Sequence, residues 1–160
     1  MSASDLTHTD SAVIAATPQQ LYDLVSDVTR TGEWSPICRE CWWDEGDGPR
    51  VGAWFTGRNE VPGRTWETRS LVVAADPGER FAFVVGGTFV SWAFTFAAVD
   101  GGTEVTESWE FLPAGLDRFA ELYGDDAPAQ IEDRTRAARA GIPATLAAIA
   151  GIVESGQLAT

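Results

Sequence analysis

Between Arg39 and Phe111, five turn signals divide the chain into six segments, each long enough to pair with its neighbour as a strand. The signals are Gly46-Asp47-Gly48-Pro49, Val61-Pro62-Gly63, Asp76-Pro77-Gly78, Gly86-Gly87 and Asp100-Gly101-Gly102. Pro-Gly suits the central positions of a type II turn, and glycine supplies the positive φ that tight hairpins need. The spacing predicts an antiparallel meander. Two of its segments define the faces. Val90, Trp92, Phe94 and Phe96 alternate with Ser91, Ala93, Thr95 and Ala97, while Val105, Glu107, Trp109 and Phe111 alternate with Glu104, Thr106, Ser108 and Glu110. A sheet with one aromatic and one polar face is covered on one side only. The cover must be helical.

The flanking segments supply it. A first strand is predicted over Ser11 to Ala15, followed by a helix start in which Thr17 caps, Pro18 takes the first helical position and Gln20 completes a capping box. Leu21, Leu24, Val25 and Val28 make one apolar stripe at helical spacing, and a second short turn over Thr31 to Trp34 is stopped by Pro36. After the strands comes a link, Pro113 to Gly115, then a short helix from Leu116 to Tyr123. A long helix follows, capped by Asp125 or Asp126, carrying Arg134, Arg136 and Arg139 and turning small and apolar from Ala140 onward. The expectation is one α+β domain over residues 1–160, with residues 1–9 as a flexible tail.

Charge and composition exclude several functions. There are 24 acidic residues against 11 basic ones, a net charge of −13, and every basic residue is arginine. Unaided nucleic-acid binding needs clustered cations and is not expected, nor is docking on anionic lipid. The lack of lysine removes Schiff-base chemistry. His8 is the only histidine, set in the polar N-terminal segment, so no Ser-His or Cys-His nucleophile is expected. No phosphate-binding loop or dinucleotide fingerprint occurs, and no cofactor is expected. Cys38 and Cys41 form a lone CxxC. Zinc requires about four ligands, and in a regular strand residues three apart face opposite ways, roughly 10 Å apart and too far for a disulfide. They read as reduced packing cysteines, with no metal. Met1 to Asp10 is unlike a signal peptide, and the apolar stretch Ile142 to Val153 is too short to span a bilayer. A cytoplasmic protein without membrane insertion is expected.

Glu107 shares its strand face with Val105, Trp109 and Phe111. Facing inward, its carboxyl would be kept neutral by burial and serve as a general acid/base or a hydrogen-bond anchor; turned out by a bulge, it would be solvated or paired with an arginine. Asn59, in the series Ala53, Phe55, Gly57, Asn59, either points inward or opens the turn before Pro62-Gly63. Trp34, Phe55, Trp66, Trp92, Phe94 and Trp109 are each ordinary core residues when taken singly. Together they oppose a helix of small residues, an asymmetry that leaves an apolar cavity of roughly 300–1,000 Å³. Leu116, Phe119 and Tyr123 form a stripe suited either to a lid over the cavity mouth or to a rigid cap, with the Tyr123 hydroxyl at the rim. Trp42 and Trp43 are adjacent, so one must face outward, at a rim or a homodimer contact. Arg69 is read as a solvated partner of Glu67.

The order of elements, with Ala16-Thr17-Pro18, Leu21-Tyr22-Asp23-Leu24-Val25-Ser26-Asp27 and Glu33-Trp34-Ser35-Pro36, resembles the START-related SRPBCC superfamily. Val51-Gly52-Ala53-Trp54-Phe55, Gly57, Asn59, Trp66 and Gly102-Thr103-Glu104-Val105-Thr106-Glu107-Ser108-Trp109 extend the match over about residues 10–155. The nearest likeness is to its polyketide cyclase/dehydrase-like branch, of actinobacterial type. The resemblance implies the helix-grip fold, a curved antiparallel sheet of about seven strands wrapped around a long C-terminal helix, with two short helices after the first strand. It further implies binding of a small hydrophobic or aromatic ligand, polyketide- or lipid-like. Cyclase/dehydrase activity and simple carriage are both open. A protein-interaction module of the same fold is the alternative.

Overall fold

The computed structural model describes residues 3–158. A 3-10 turn over Ala3–Leu6 leads into β1 (Thr7–Ile14), α1 (Pro18–Ser26), a 3-10 segment over Val28–Glu33 and β2 (Cys38–Trp43). Then follow β3 (Trp54–Val61), β4 (Arg64–Asp76), β5 (Arg80–Val85), β6 (Val90–Val99), β7 (Gly102–Phe111), α2 (Pro113–Tyr123) and α3 (Ala127–Glu154). The strands form one sheet in the order β1-β7-β6-β5-β4-β3-β2, every neighbouring pair antiparallel. The meander is therefore continuous from β2 to β7, and β1 closes on β7. This is the α+β helix-grip architecture implied by the sequence. Gly63 and Gly78, at φ of 82° and 72°, make the turns that hold β3 to β4 and β4 to β5.

Of the tail expected over residues 1–9, residues 1–2 lie outside the described residues and the rest is corrected: Thr7, His8 and Thr9 belong to β1, paired from Thr7↔Glu110 to Ile14↔Thr103. A strand at a sheet edge needs little apolar surface of its own. Here its outer face is tied by hydroxyls, with Ser11 Oγ and Thr106 Oγ1 2.8 Å apart and Thr9 Oγ1 donating to Ser108 Oγ at 3.2 Å.

The capping box of α1 forms as read: Gln20 N–H donates to Thr17 Oγ1 at 3.1 Å and Thr17 N–H donates to Gln20 Oε1 at 3.0 Å. This satisfies two backbone donors left free at the helix start. The helix buries Leu21, Leu24 and Val25 and packs on β5 and β6, with Tyr22 edge-on to Phe96 at 6.2 Å. α3 starts at Ala127 without a side-chain cap; Asp126 instead accepts from Gln130 Nε2 at 2.9 Å. Its buried stripe is Thr135, Ala138, Ile142, Leu146, Ile149 and Ile152, and it lies on β1 and β7. Arg30, only 8% exposed, ties down the segment after α3 by donating to the carbonyls of Gln157 and Leu158 at 2.7 and 2.6 Å.

Candidate functional site

Register decides which side chains look into the space between the sheet and α3. Directly opposed residues on antiparallel strands share a face. Trp92↔Trp109, Phe94↔Glu107 and Phe96↔Val105 therefore point the same way, and so do Asp10↔Glu107 and His8↔Trp109. Through β5 and β4 this inner face continues in Phe81, Phe83, Ser70, Thr68, Trp66 and Arg64, and on β3 in Phe55, Gly57 and Asn59.

Glu107 lies in the middle of this face, 4% exposed, with Phe94 and Asp10 as its direct cross-strand neighbours. Burial pushes its carboxyl up to about 8, because the charged form has lost its water. At neutral pH it is mostly a neutral acid. Among the described residues, its Oε1 has no hydrogen-bond partner, and the same is true of His8 Nε2 on the adjoining strand. Buried polar atoms are ordinarily paired, so these two, with Arg64 Nε further along the same face, mark places where an outside group can bind.

The far end of the same face is less closed. Trp66, Trp92, Phe83, Phe119 and Tyr123 are only half-buried although they face the interior or cap it. Arg134 of α3 bridges the gap, its guanidinium 5.8 Å from the Trp66 ring and 5.4 Å from that of Phe119. Its Nη2 also donates to Tyr123 Oη at 3.4 Å, and Arg64 stacks on Trp66 at 4.2 Å. Phe119 sits edge-on between Phe111 and Tyr123 at 5.0 and 5.1 Å. The β3–β4 hairpin is thus held to α2 and α3 by cation–aromatic contacts rather than by a sealed apolar seam.

Two open grooves lie elsewhere. One of about 570 Å³ runs past Tyr22, Ser26, Trp43 and Pro49, and one of about 350 Å³ past Thr29, Arg39, Glu40 and Cys41. Neither is bordered by Glu107 or by the aromatic residues singled out in the sequence, apart from their shared edge at β2. Neither is the cavity expected behind the aromatic face, where the unsatisfied polar atoms lie.

The residues singled out in the sequence divide accordingly. Phe94, Trp109 and Phe55 are buried on the inner face, 5%, 3% and 5% exposed, and Trp92 is half-buried beside them. Asn59 points inward, buried, and its Nδ2 donates to Thr68 Oγ1 at 3.1 Å. Trp66 and Tyr123 meet at the arginine-bridged end. Trp34 follows the 3-10 segment and is a core residue, 5% exposed. Of the adjacent pair, Trp43 faces inward against Phe55 at 5.6 Å, while Trp42 faces out beneath Arg58. Arg69 does not pair with Glu67: it binds Asp44 at 2.8 Å, and Arg58 takes Glu67. Sequence reasoning missed His8, Asp10, Arg64 and Arg134. For the first two, period-2 alternation back from Ile14 was the available signal; the arginines are brought in only by tertiary contact.

The cysteine geometry is also corrected. The register of β2 on β3 jumps between Cys38 and Glu40, leaving Arg39 unpaired. This bulge puts Cys38 and Cys41 on the same face rather than on opposite ones.

Comparison with known proteins follows the fold closely. A family described as polyketide cyclase / dehydrase and lipid transport matches residues 6–143. The solution structure of the polyketide-cyclase-like protein Cgl2372 from Corynebacterium glutamicum is 52% identical, with a TM-score of 0.70 over 94% of this chain and 93% of that one. Protein Ms6760 from Mycobacterium smegmatis is 19% identical, with a TM-score of 0.68 over 97% and 95%. The di-domain ARO/CYC StfQ of the steffimycin biosynthetic pathway is 16% identical at a TM-score of 0.69, this chain covering 53% of it. Among curated proteins no match was found.

Proposed function

Because the chain belongs to the polyketide cyclase/dehydrase and lipid transport family, we propose that it binds a small, mainly hydrophobic molecule, polyketide- or lipid-like, between the sheet and α3. The carrying observation is the unpartnered carboxyl oxygen of Glu107, set on the same face as Phe94, Trp92 and Trp109. Leaving a buried polar group unsatisfied costs about 1–3 kcal/mol, a cost that a ligand hydroxyl or carbonyl would offset. A neutral carboxyl offers both a donor and an acceptor. The ligand therefore has an apolar or aromatic body and at least one oxygen, with His8 Nε2 as a second polar contact.

The same chemistry supports a catalytic extension. A protonated Glu107 that donates to a ligand carbonyl polarises it toward attack by a carbon nucleophile, as a cyclase requires, and one that donates to a ligand hydroxyl assists its departure as water, as a dehydrase requires. Carrier and enzyme share this site and differ in turnover alone. Glu107 is the group to which we assign the acid role; Asn59, with its carbonyl oxygen free to accept, is a further polar contact beside Trp66.

Entry is at the arginine-bridged end, with α2 as the lid. Pro113 and Gly124 flank the helix, and Phe119 and Tyr123 are its contacts to Arg134. Hydrogen exchange with the apolar fluorophore 8-anilinonaphthalene-1-sulfonate (ANS) tests this. With ANS bound, amides of residues 113–124 are expected to gain protection; unchanged protection under saturating probe would remove the lid from the account. The helical stretch Pro113–Glu154 is long and apolar enough, by length and composition alone, to cross a membrane. In this reading it is a core helix instead, since Ile142, Leu146, Ile149 and Ile152 are buried against the domain. A cytoplasmic location belongs to the same proposal.

A further inference from the structure

The bulge in β2 assembles a pair of thiols for which the ligand site has no use. Cys38 stands opposite Asn59 and Cys41 opposite Gly57, both on the inner face. Gly57 leaves the room they occupy: a β-carbon there would lie 3.2 Å from Cys38 Sγ and 3.6 Å from Cys41 Sγ. Both cysteines are free, Cys38 half-buried and Cys41 buried. Sulfurs that crowd one point are near neighbours, and Cys38 Sγ donates to the Glu40 carbonyl at 3.3 Å. A disulfide needs Cα atoms within about 7 Å. β2 is an edge strand hydrogen-bonded in the sheet to β3 alone, so it is this strand that must draw in to close the bond.

We propose that Cys38 and Cys41 are a redox-active dithiol, which a low-molecular-weight disulfide of the glutathione type converts to an intramolecular Cys38–Cys41 disulfide. Cys38 attacks first, as the more accessible sulfur. The neighbouring Cys41 also holds its thiol below the ordinary value, while Cys38 and burial push Cys41 up. The Cys38 thiolate bonds to one sulfur of the oxidant and expels the other as a thiolate, which takes up a proton. Cys41 then gives up its proton, attacks the Cys38 sulfur and expels the second small thiol. The protein loses two protons and two electrons in total, and the oxidant is reduced to two thiols.

The test is intact-mass analysis of the reduced full-length chain after exposure to excess oxidised glutathione, with free thiols alkylated before unfolding and again, by a different reagent, after it. The wild type is expected to end as a monomer two hydrogens lighter, with no alkylatable thiol and no lasting glutathione adduct. Cys41→Ser should trap the glutathione adduct on Cys38, and Cys38→Ser should react at least about tenfold more slowly than that variant. Two thiols still free in the wild type, a glutathione adduct as its end product, or a disulfide between two chains would each overturn the proposal. The wild-type result stands by itself should either variant fail to fold.

Discussion

Replacing Glu107 by Gln should remove most of the loss of stability that the wild type suffers between pH 5 and pH 9. The folded-state carboxyl titrates near 8 against an ordinary value of 4.5. In that window the folded chain holds a proton that the unfolded chain releases, so stability falls as pH rises. The contribution is complete below about 4.5 and gone once pH has passed through the folded value near 8. At 1.36 kcal/mol per unit, the ceiling is roughly 5 kcal/mol, and water entering on ionisation reduces it, so about 2–4 kcal/mol is expected. Urea midpoints at pH 5.5, 7 and 9 measure it. Wild type and variant should differ least at pH 5.5 and diverge in favour of Gln toward pH 9. Parallel curves would mean that Glu107 is ionised in the folded protein and that the neutral anchor does not exist. The same variant separates the two activities: retained ligand binding with lost turnover identifies an enzyme, and altered affinity alone a carrier.

The second large effect divides the tryptophans by role. Trp109, 3% exposed and edge-on to Phe111 at 6.2 Å, is packed as core. Trp109→Ala should cost about 3–5 kcal/mol of folding stability, the usual price of truncating a buried large aromatic. Trp66 sits half-buried under Arg64 and within reach of Arg134. Its exposed cation–π contacts are worth about 0.5–1 kcal/mol each, so Trp66→Ala should cost about 1–2 kcal/mol while weakening ANS binding about tenfold. Urea denaturation together with probe titration checks both. Equal stability losses with unchanged probe affinity would count against the assigned entrance.

What could be read from the sequence followed from period-2 alternation and turn chemistry. β6 and β7 declared their inner face because large rings alternate with small or polar residues, and this placed Glu107, Trp92, Phe94 and Trp109 correctly. Thr17 and Gln20 announced the start of α1 because a capping box is a local device, complete within four residues. β1 was read short because its inner face carries His8 and Asp10, and two polar residues at core-facing positions read as a solvated segment. The β2 bulge had no local signal: Arg39 is extruded by the register of β3, and only the partner strand reveals that Cys38 and Cys41 share a face. The arginine bridge depends on Arg64 and Arg134 meeting at one ring from opposite ends of the domain, which spacing along the chain does not encode.

The seven tryptophans make the central claim directly observable, because each indole N–H is a separate reporter. Trp66, Trp92 and Trp109 stand on the inner face, whereas Trp42 and Trp54 lie outside, stacked with Arg58 and Arg69 at 5.4 and 4.7 Å. Titrating the protein with ANS while following assigned indole resonances by NMR tests where an apolar molecule goes. Saturable one-to-one binding that shifts Trp66 and Trp92, and leaves Trp42 and Trp54 unmoved, is the predicted result. Shifts confined to Trp42 and Trp54, or no saturable binding at all, would contradict an internal site.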